Sequence, residues 1–176
     1  MTASTDAKPK GASGSGDQVP VSIRVQEADF SPAEEYRAAR ERLRGTAGAI
    51  ATFVGLVRDH AGAEPVSVLH LEHYPGMTER SMAAIVEQAA TRWPILDVVV
   101  IHRVGALAAA EQIVYVQVAS SHRAAAFAAC EFIMDYLKTD AVFWKREAGA
   151  AGSRWIEATG EDRERVRTWG GEASRD

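Results

Sequence analysis

The chain has 176 residues, of which 47% are hydrophobic and 25% are charged, a mixture typical of one soluble globular domain. Its net charge of −4 gives no overall positive field that would attract nucleic acid or an anionic membrane, so any cationic site must be local. No apolar run approaches the roughly 20 residues that a membrane span requires.

The single cysteine, Cys130, indicates a reducing environment. One thiol forms neither an internal disulfide nor a structural zinc site, which predicts a cytoplasmic protein. Cys130 stands beside Phe127 and Ile133 in an apolar run typical of a helix. We therefore interpret it as a packed core residue in preference to a reactive thiol.

The two ends of the chain differ in composition from the middle. Residues 1–18 are rich in Gly, Ser and Ala and carry almost no large apolar side chains. Such a segment does not bury enough surface to offset its ordering entropy, so we expect a disordered tail, and it lacks the apolar run of a signal peptide. We expect one domain over residues 19–159 and a charged tail over 160–176, with a short exposed helix around Glu161 to Trp169.

Between these ends the pattern alternates between strands and helices. Apolar and polar residues alternate at 21–25, which predicts a first strand. Ser31, Pro32 and Glu34 have the spacing of a capping box that begins a helix ending near Arg44. About three helices among many strands predict an α+β fold with a mixed, largely antiparallel sheet. Further strands are predicted at 48–58, 66–74, 95–103, 112–119, 141–147 and 154–158, and further helices at 78–93 and 121–138.

Two lysines lie seven residues apart, and each directly follows large hydrophobic residues. Lys138 follows Tyr136-Leu137, and Lys145 follows Phe143-Trp144. We expect Lys138 at a helix end and Lys145 on the next strand, both half-buried and able to converge on one pocket. Burial and neighbouring cations disfavour the charged form of a lysine, which suits it to act as an acid, base or nucleophile. The alternative is that both side chains only extend from half-buried elements to solvent.

A second cationic group lies where a strand is predicted to end and a helix to begin, at Ser120-Ser121-His122-Arg123. The first turn of a helix favours acidic residues because the helix dipole is positive there, yet this chain places His122 and Arg123 in it. An anion bound at the helix end would reconcile these charges. The alternative is that both side chains point outward to solvent.

Two other groups of residues have weaker signals. Gly55 within the strand at 48–58 indicates a bulge or a close backbone approach, and Arg58 after it is either an ordinary strand-end charge or a ligand contact. His70, Glu72 and His73 are residue types that bind metals, but in a strand His73 lies on the opposite face from the other two. We therefore predict no metal site.

Five ordered blocks between about Gly48 and Ala158 have a more specific pattern. The blocks are residues 53–58 (FVGLVR), 71–77 (LEHYPGM), 101–105 (IHRVG), 121–123 (SHR), and 132–138 (FIMDYLK) continuing to 143–147 (FWKRE). Together these blocks resemble the catalytic (large) subunit of molybdopterin synthase.

The resemblance implies an α/β-hammerhead-type fold and a homodimer with a small ubiquitin-like sulfur-carrier subunit docked at each end, giving a heterotetramer. It implies a sulfurtransferase of molybdenum cofactor biosynthesis. Such an enzyme converts cyclic pyranopterin monophosphate, precursor Z, to molybdopterin by inserting two sulfurs from a thiocarboxylate on the carrier's C-terminal Gly-Gly. No metal, other cofactor, nucleic acid or membrane is implied.

The resemblance also assigns roles to residues. It implies that Lys138 and Lys145 are catalytic. The chain departs from the family at Leu56, where a basic residue is common, and at Ala110, where a Gly often precedes the acidic residue of a turn. If that turn needs a positive φ, Ala110 costs about 1 kcal/mol. The residues implied to bind substrate are Leu56, Val57, Arg58, His122, Arg123, Lys138, Lys145, Arg146 and Glu147.

A second function from another class is compatible with the anion site. A non-catalytic module could bind a phosphorylated small molecule and regulate a partner. The lysine pair separates the two functions, because a binding module does not need two half-buried lysines beside the arginines.

Overall fold

The computed structural model describes residues 19–61, 64–65, 68–141, 143–149, 152–156 and 159–170. The tail predicted at 1–18 and the last residues of the predicted C-terminal tail lie outside them. The described part contains four helices and ten strands, which confirms the α+β class. The helices are α1 Pro32–Arg42, α2 Met77–Arg92, α3 Arg123–Thr139 and α4 Gly160–Gly170. The strands are β1 Val21–Gln26, β2 Ala49–Leu56, β3 His60–Ala61, β4 Glu64–Pro65, β5 Val68–His73, β6 Ile95–Arg103, β7 Gly105–Ala108, β8 Gln112–Ser120, β9 Phe143–Gly149 and β10 Gly152–Ile156.

The first sheet has the strand order β1-β6-β8-β2, in which β1 runs parallel to β6 and the other pairs are antiparallel. Val98 and Val100 of β6 face the core that α2 and α3 cover, whereas Val99 and Ile101 join a second cluster with Phe30. Both faces of β6 are therefore buried, which explains its nearly continuous run of Val and Ile.

The second sheet has the order β10-β9-β5-β7, and its pairs are antiparallel. The sequence predicted one mixed sheet and did not identify β7 or the short β3–β4 pair. The chain leaves β6 at Arg103, and Gly105 adopts a φ of 89°, which redirects it into the second sheet. The Gly-Ala-Leu-Ala sequence of β7 has little strand propensity, so its pairing with β5 is imposed by the fold.

Several local predictions are confirmed. The side chain of Ser31 accepts a hydrogen bond from the Glu34 N–H at 3.3 Å, and Pro32 is the first residue of α1. The ladder between β2 and β8 shifts register between Gly55 and Leu56, as expected of a strand glycine at a bulge. Cys130 is 7% exposed, and burial raises the pKa of its thiol to about 12, so it is a protonated core residue.

The turn before β8 needs the backbone conformation that the family's glycine would supply. Ala110 has a φ of 70°, in the left-handed region, where its Cβ costs about 1 kcal/mol. Its N–H donates to the carbonyl of Val57 at 2.8 Å, and the N–H of Val57 donates to the carbonyl of Glu111 at 2.9 Å. The turn is kept in spite of its alanine because these two bonds attach it to the residue after β2.

The C-terminal helix predicted around Glu161 to Trp169 is present as α4. It packs along α3, where Trp169 joins the aromatic rings of Trp93 and Phe132 with centroid distances of 5.7 and 5.5 Å. No helix in the described part of the chain is long and apolar enough to cross a membrane.

His102 connects the two sheets. Its ring stacks on Phe143 of β9 with centroids 3.9 Å apart and planes inclined by 22°, and its Nδ1 donates to the carbonyl of Arg103 at 2.8 Å. Burial lowers the pKa of His102 from 6.5 to about 4 against the opposing effect of this hydrogen bond, and the charges of Lys145 and His73 lower it further. His102 is therefore neutral in the folded protein near neutral pH.

We predict that His102 makes folding stability fall in mild acid. Its contribution is complete above the unfolded-state pKa near 6.5 and is lost as the pH falls toward 4, because the unfolded chain binds the proton first. Between pH 7 and pH 5 this amounts to about 2 kcal/mol. Denaturant unfolding of the wild type and of His102→Asn measures it. The variant retains an N–H donor and should lose correspondingly less stability over this range; equal losses in both proteins would contradict the assignment.

Candidate functional site

The two lysines occupy the elements predicted for them. Lys138 lies in the last turn of α3, and Lys145 lies on β9, paired with Leu71 of β5 and Ile156 of β10. The charges of Lys138 and Asp162 both act on Lys145, so the three groups form one cluster. The cluster therefore joins α3, β9 and α4, which are separate elements of the fold.

The two lysines differ in burial, whereas the sequence predicted that both are half-buried. Lys145 is half-buried, as predicted. Lys138 is exposed over 51% of its side chain, because it stands on the last turn of α3 where the helix meets solvent. Its Nζ lies 3.4 Å from Oδ1 of Asp162. Burial lowers the pKa of Lys145, the charge of Lys138 lowers it further, and Asp162 opposes the change.

Aromatic residues precede Lys145 on β9, one on each face of the strand. Phe143 precedes it by two residues on the same strand face and stacks on His102. On the other strand face, Trp144 packs against Tyr74 with a centroid distance of 6.4 Å, and these rings are 44% and 60% exposed. The face that carries Lys145 therefore also carries Phe143, which stacks on the buried neutral His102, whereas the exposed aromatic pair lies on the opposite face of β9.

His122 and Arg123 form the predicted helix start. His122 is the N-cap residue of α3, Arg123 is its first residue, and the first turn contains no acidic residue. Both side chains are exposed. At 1.5 Å per residue, Arg123 lies about 22 Å from Lys138 along the same helix. The structure therefore does not bring this cationic pair together with the lysines of the same chain.

The predicted substrate residues after β2 are not equally available. Leu56 is 55% exposed and Arg58 is exposed, whereas Val57 is 5% exposed and its backbone holds the turn at Ala110. Arg146 is half-buried on β9. Glu147 pairs through its backbone with Leu69, and its side chain lies outside the described residues.

Sequence reasoning missed two groups next to Lys145. His102 lies within an apolar strand run, and its position beneath the lysine follows from the contact between the two sheets. Asp162 lies in the segment interpreted as a tail, although Thr159 and Asp162 have the spacing of a capping box and could have marked a helix start. Among the described residues, no three His, Cys, Asp or Glu side chains converge as a metal-binding group.

Comparison with known proteins gives consistent matches along most of the chain. Residues 25–140 match the family described as MoaE protein. The chain is 54% identical over 148 residues to a molybdopterin synthase catalytic subunit from Ralstonia nicotianae, covering 84% of each protein.

Two solved structures extend this similarity to the fold. A molybdopterin biosynthesis MoaE protein from Burkholderia ambifaria is 47% identical, with a TM-score of 0.73 over 86% of this chain and 99% of that one. A molybdopterin synthase from Staphylococcus aureus is 28% identical, with a TM-score of 0.68 over 75% of this chain and 94% of that one. The family match covers well over half of the sequence, and the chain belongs to the MoaE family.

Proposed function

We propose that this chain is the catalytic subunit of a molybdopterin synthase, a sulfurtransferase that converts precursor Z to molybdopterin. Membership of the MoaE family and the 54% identical relative of that name support the activity. The observation that carries the assignment of the site is the half-buried Lys145, whose charge is coupled to those of Lys138 and Asp162. Lysines whose pKa is lowered by burial beside a specific charge partner are concentrated at sites of chemistry.

The proposed chemistry assigns a task to each lysine. Sulfur transfer from a thiocarboxylate to the pterin side chain needs a stabilised oxyanion and a proton donor for the departing oxygen. Lys145 suits the donor role because burial weakens its hold on its proton. The exposed Lys138 side chain lies at the solvent edge of the site beside Asp162, where it can stabilise negative charge on the entering substrate.

The cyclic phosphate of precursor Z would bind at the start of α3. His122 and Arg123 are exposed there beside unpaired backbone N–H groups, so the phosphate would complete the helix end. A single substrate does not reach the lysines about 22 Å away along the same helix. We therefore propose that the site forms in a homodimer, where the anion site of one copy faces the lysines of the other.

The sulfur donor would be a small ubiquitin-like carrier with a C-terminal Gly-Gly thiocarboxylate, giving a cytoplasmic heterotetramer. The exposed pair Tyr74 and Trp144 lies on the opposite face of β9 from Lys145 and offers an apolar contact surface to the docked carrier. Arg58, Arg146 and Glu147 would complete the substrate site. Neither the family match nor the relatives' names support the alternative of a regulatory module.

Replacing either lysine should stop sulfur insertion without unfolding the protein. We predict that Lys138→Ala and Lys145→Ala reduce molybdopterin formation at least about 100-fold, since each removes a charge or proton donor needed in the transition state. Lys145→Arg is the matched control, because it retains the charge but holds its proton too tightly to donate it. Full activity in Lys145→Arg would assign Lys145 a purely electrostatic role, and full activity in both alanine variants would overturn the catalytic assignment.

Mixed dimers test whether the site is shared between two copies. Lys145→Ala and Arg123→Ala should each be inactive or weak alone. After unfolding and refolding together in equal amounts, half of the dimers are mixed, and each contains one site with both residues intact. Activity should return to about a quarter of the wild-type value. No recovery, with mixed dimers shown by mass spectrometry, would place both residues in a site within one copy.

A further inference from the structure

We propose that α4 completes the site and that Asp162 is a positioning residue, which holds Lys138 and Lys145 in their working arrangement. The inference rests on the proposed catalytic role of the lysines. The family match ends at residue 140, before α4 begins.

The helix α4 is attached to α3 through Asp135. Asp135 of α3 is 8% exposed, and each of its carboxylate oxygens has a partner on α4. Arg165 Nε donates to Oδ1 at 3.0 Å, and Trp169 Nε1 donates to Oδ2 at 2.8 Å. Arg165 also pairs with Glu131. An isolated helix of 11 residues is marginal in water, so these contacts with α3 decide where α4 lies.

The direction of α4 follows from three contacts with α3. Trp169 packs near Phe132, Arg165 pairs with Asp135, and Asp162 pairs with Lys138. The order of contacts shows that the two helices are antiparallel, with the first turn of α4 at the last turn of α3. Because Asp135 holds α4 in this direction, the Asp162 carboxylate lies beside the lysine pair.

The Asp162 carboxylate is held in place by hydrogen bonds with Thr159. Thr159 donates to Oδ2 of Asp162 from its N–H at 3.1 Å and from its hydroxyl at 2.6 Å, while the N–H of Asp162 donates back to the hydroxyl at 3.1 Å. The Asp162 side chain is only 18% exposed. One oxygen is thus fixed by the helix cap, and the other is left to face Lys138 Nζ at 3.4 Å. A carboxylate held in this way limits the positions that the lysine ammonium can take.

Asp162 also affects the ionisation of Lys145. The groups whose charges act on Lys145 are Lys138 of α3 and Asp162 of α4, and Lys145 in turn acts on His102 of β6, on which His73 of β5 also acts. Of these, Asp162 is the group whose negative charge opposes the effects of burial and of Lys138. Burial and Lys138 favour loss of the proton from Lys145, and Asp162 opposes that loss.

The experiment compares Asp162→Asn with Glu161→Gln. Asparagine retains an oxygen that can accept the Thr159 hydrogen bonds but loses the charge. Glu161 is an exposed acidic residue in the same turn and is not among the groups whose charges act on Lys145, so its variant removes an equal charge at a position that solvent screens. The rate at which acetic anhydride acetylates Lys145, followed by peptide mass spectrometry across pH, reports its ionisation directly.

We expect the midpoint for Lys145 acetylation to fall by about one pH unit in Asp162→Asn and to be unchanged in Glu161→Gln. In the pH profile of turnover, the limb that depends on Lys145 should move in the same direction. Asp162→Glu should partly restore both the acetylation midpoint and this limb. An unchanged midpoint in Asp162→Asn, with helical content retained, would overturn the inference. Because acetylation needs no turnover, a shifted midpoint in a protein that makes no molybdopterin would support the role of Asp162 and overturn the proposed function instead.

Discussion

The arrangement of the site depends on one buried carboxylate, Asp135, in α3, the most apolar of the described helices. A buried charge is costly unless it is paired, and both of its partners come from α4. This requirement holds α4 against α3. The helix α4 is short and polar and has too few apolar residues to pack there by burial alone. The position of Asp162 beside Lys138, and the charge balance around Lys145, follow from it.

The two sheets contribute a second constraint. His102 of the first sheet and Phe143 of the second stack at 3.9 Å, and Lys145 follows on the same strand face. Burial lowers the pKa values of both His102 and Lys145, and both move toward their neutral forms. The fold thus combines a rigid apolar base with a cation that holds its proton weakly. The proposed anion site at the start of α3 lies at the opposite end of that helix from Lys138, which makes a second copy part of the proposed chemistry.

The sequence predicted features with local causes. The cap at Ser31, the register shift after Gly55 and the burial of Cys130 depend on neighbours close in sequence, and the structure confirms them. The positions of Lys138 at a helix end and Lys145 on a strand also follow from local pattern. The second sheet and Asp162 were missed because long-range contacts decide both: β7 is a strand only against β5, and Asp162 meets the lysines only when α4 docks.

The central claim is that this chain inserts sulfur into a pterin phosphate, and reconstitution of the wild-type protein tests it most directly. Purified protein is mixed with precursor Z and a known amount of carrier thiocarboxylate, and molybdopterin is measured as its fluorescent oxidation product. We expect about two thiocarboxylates to be consumed for each molybdopterin formed, since the dithiolene needs two sulfurs. Binding of precursor Z without any product would contradict it and would favour a regulatory binding module.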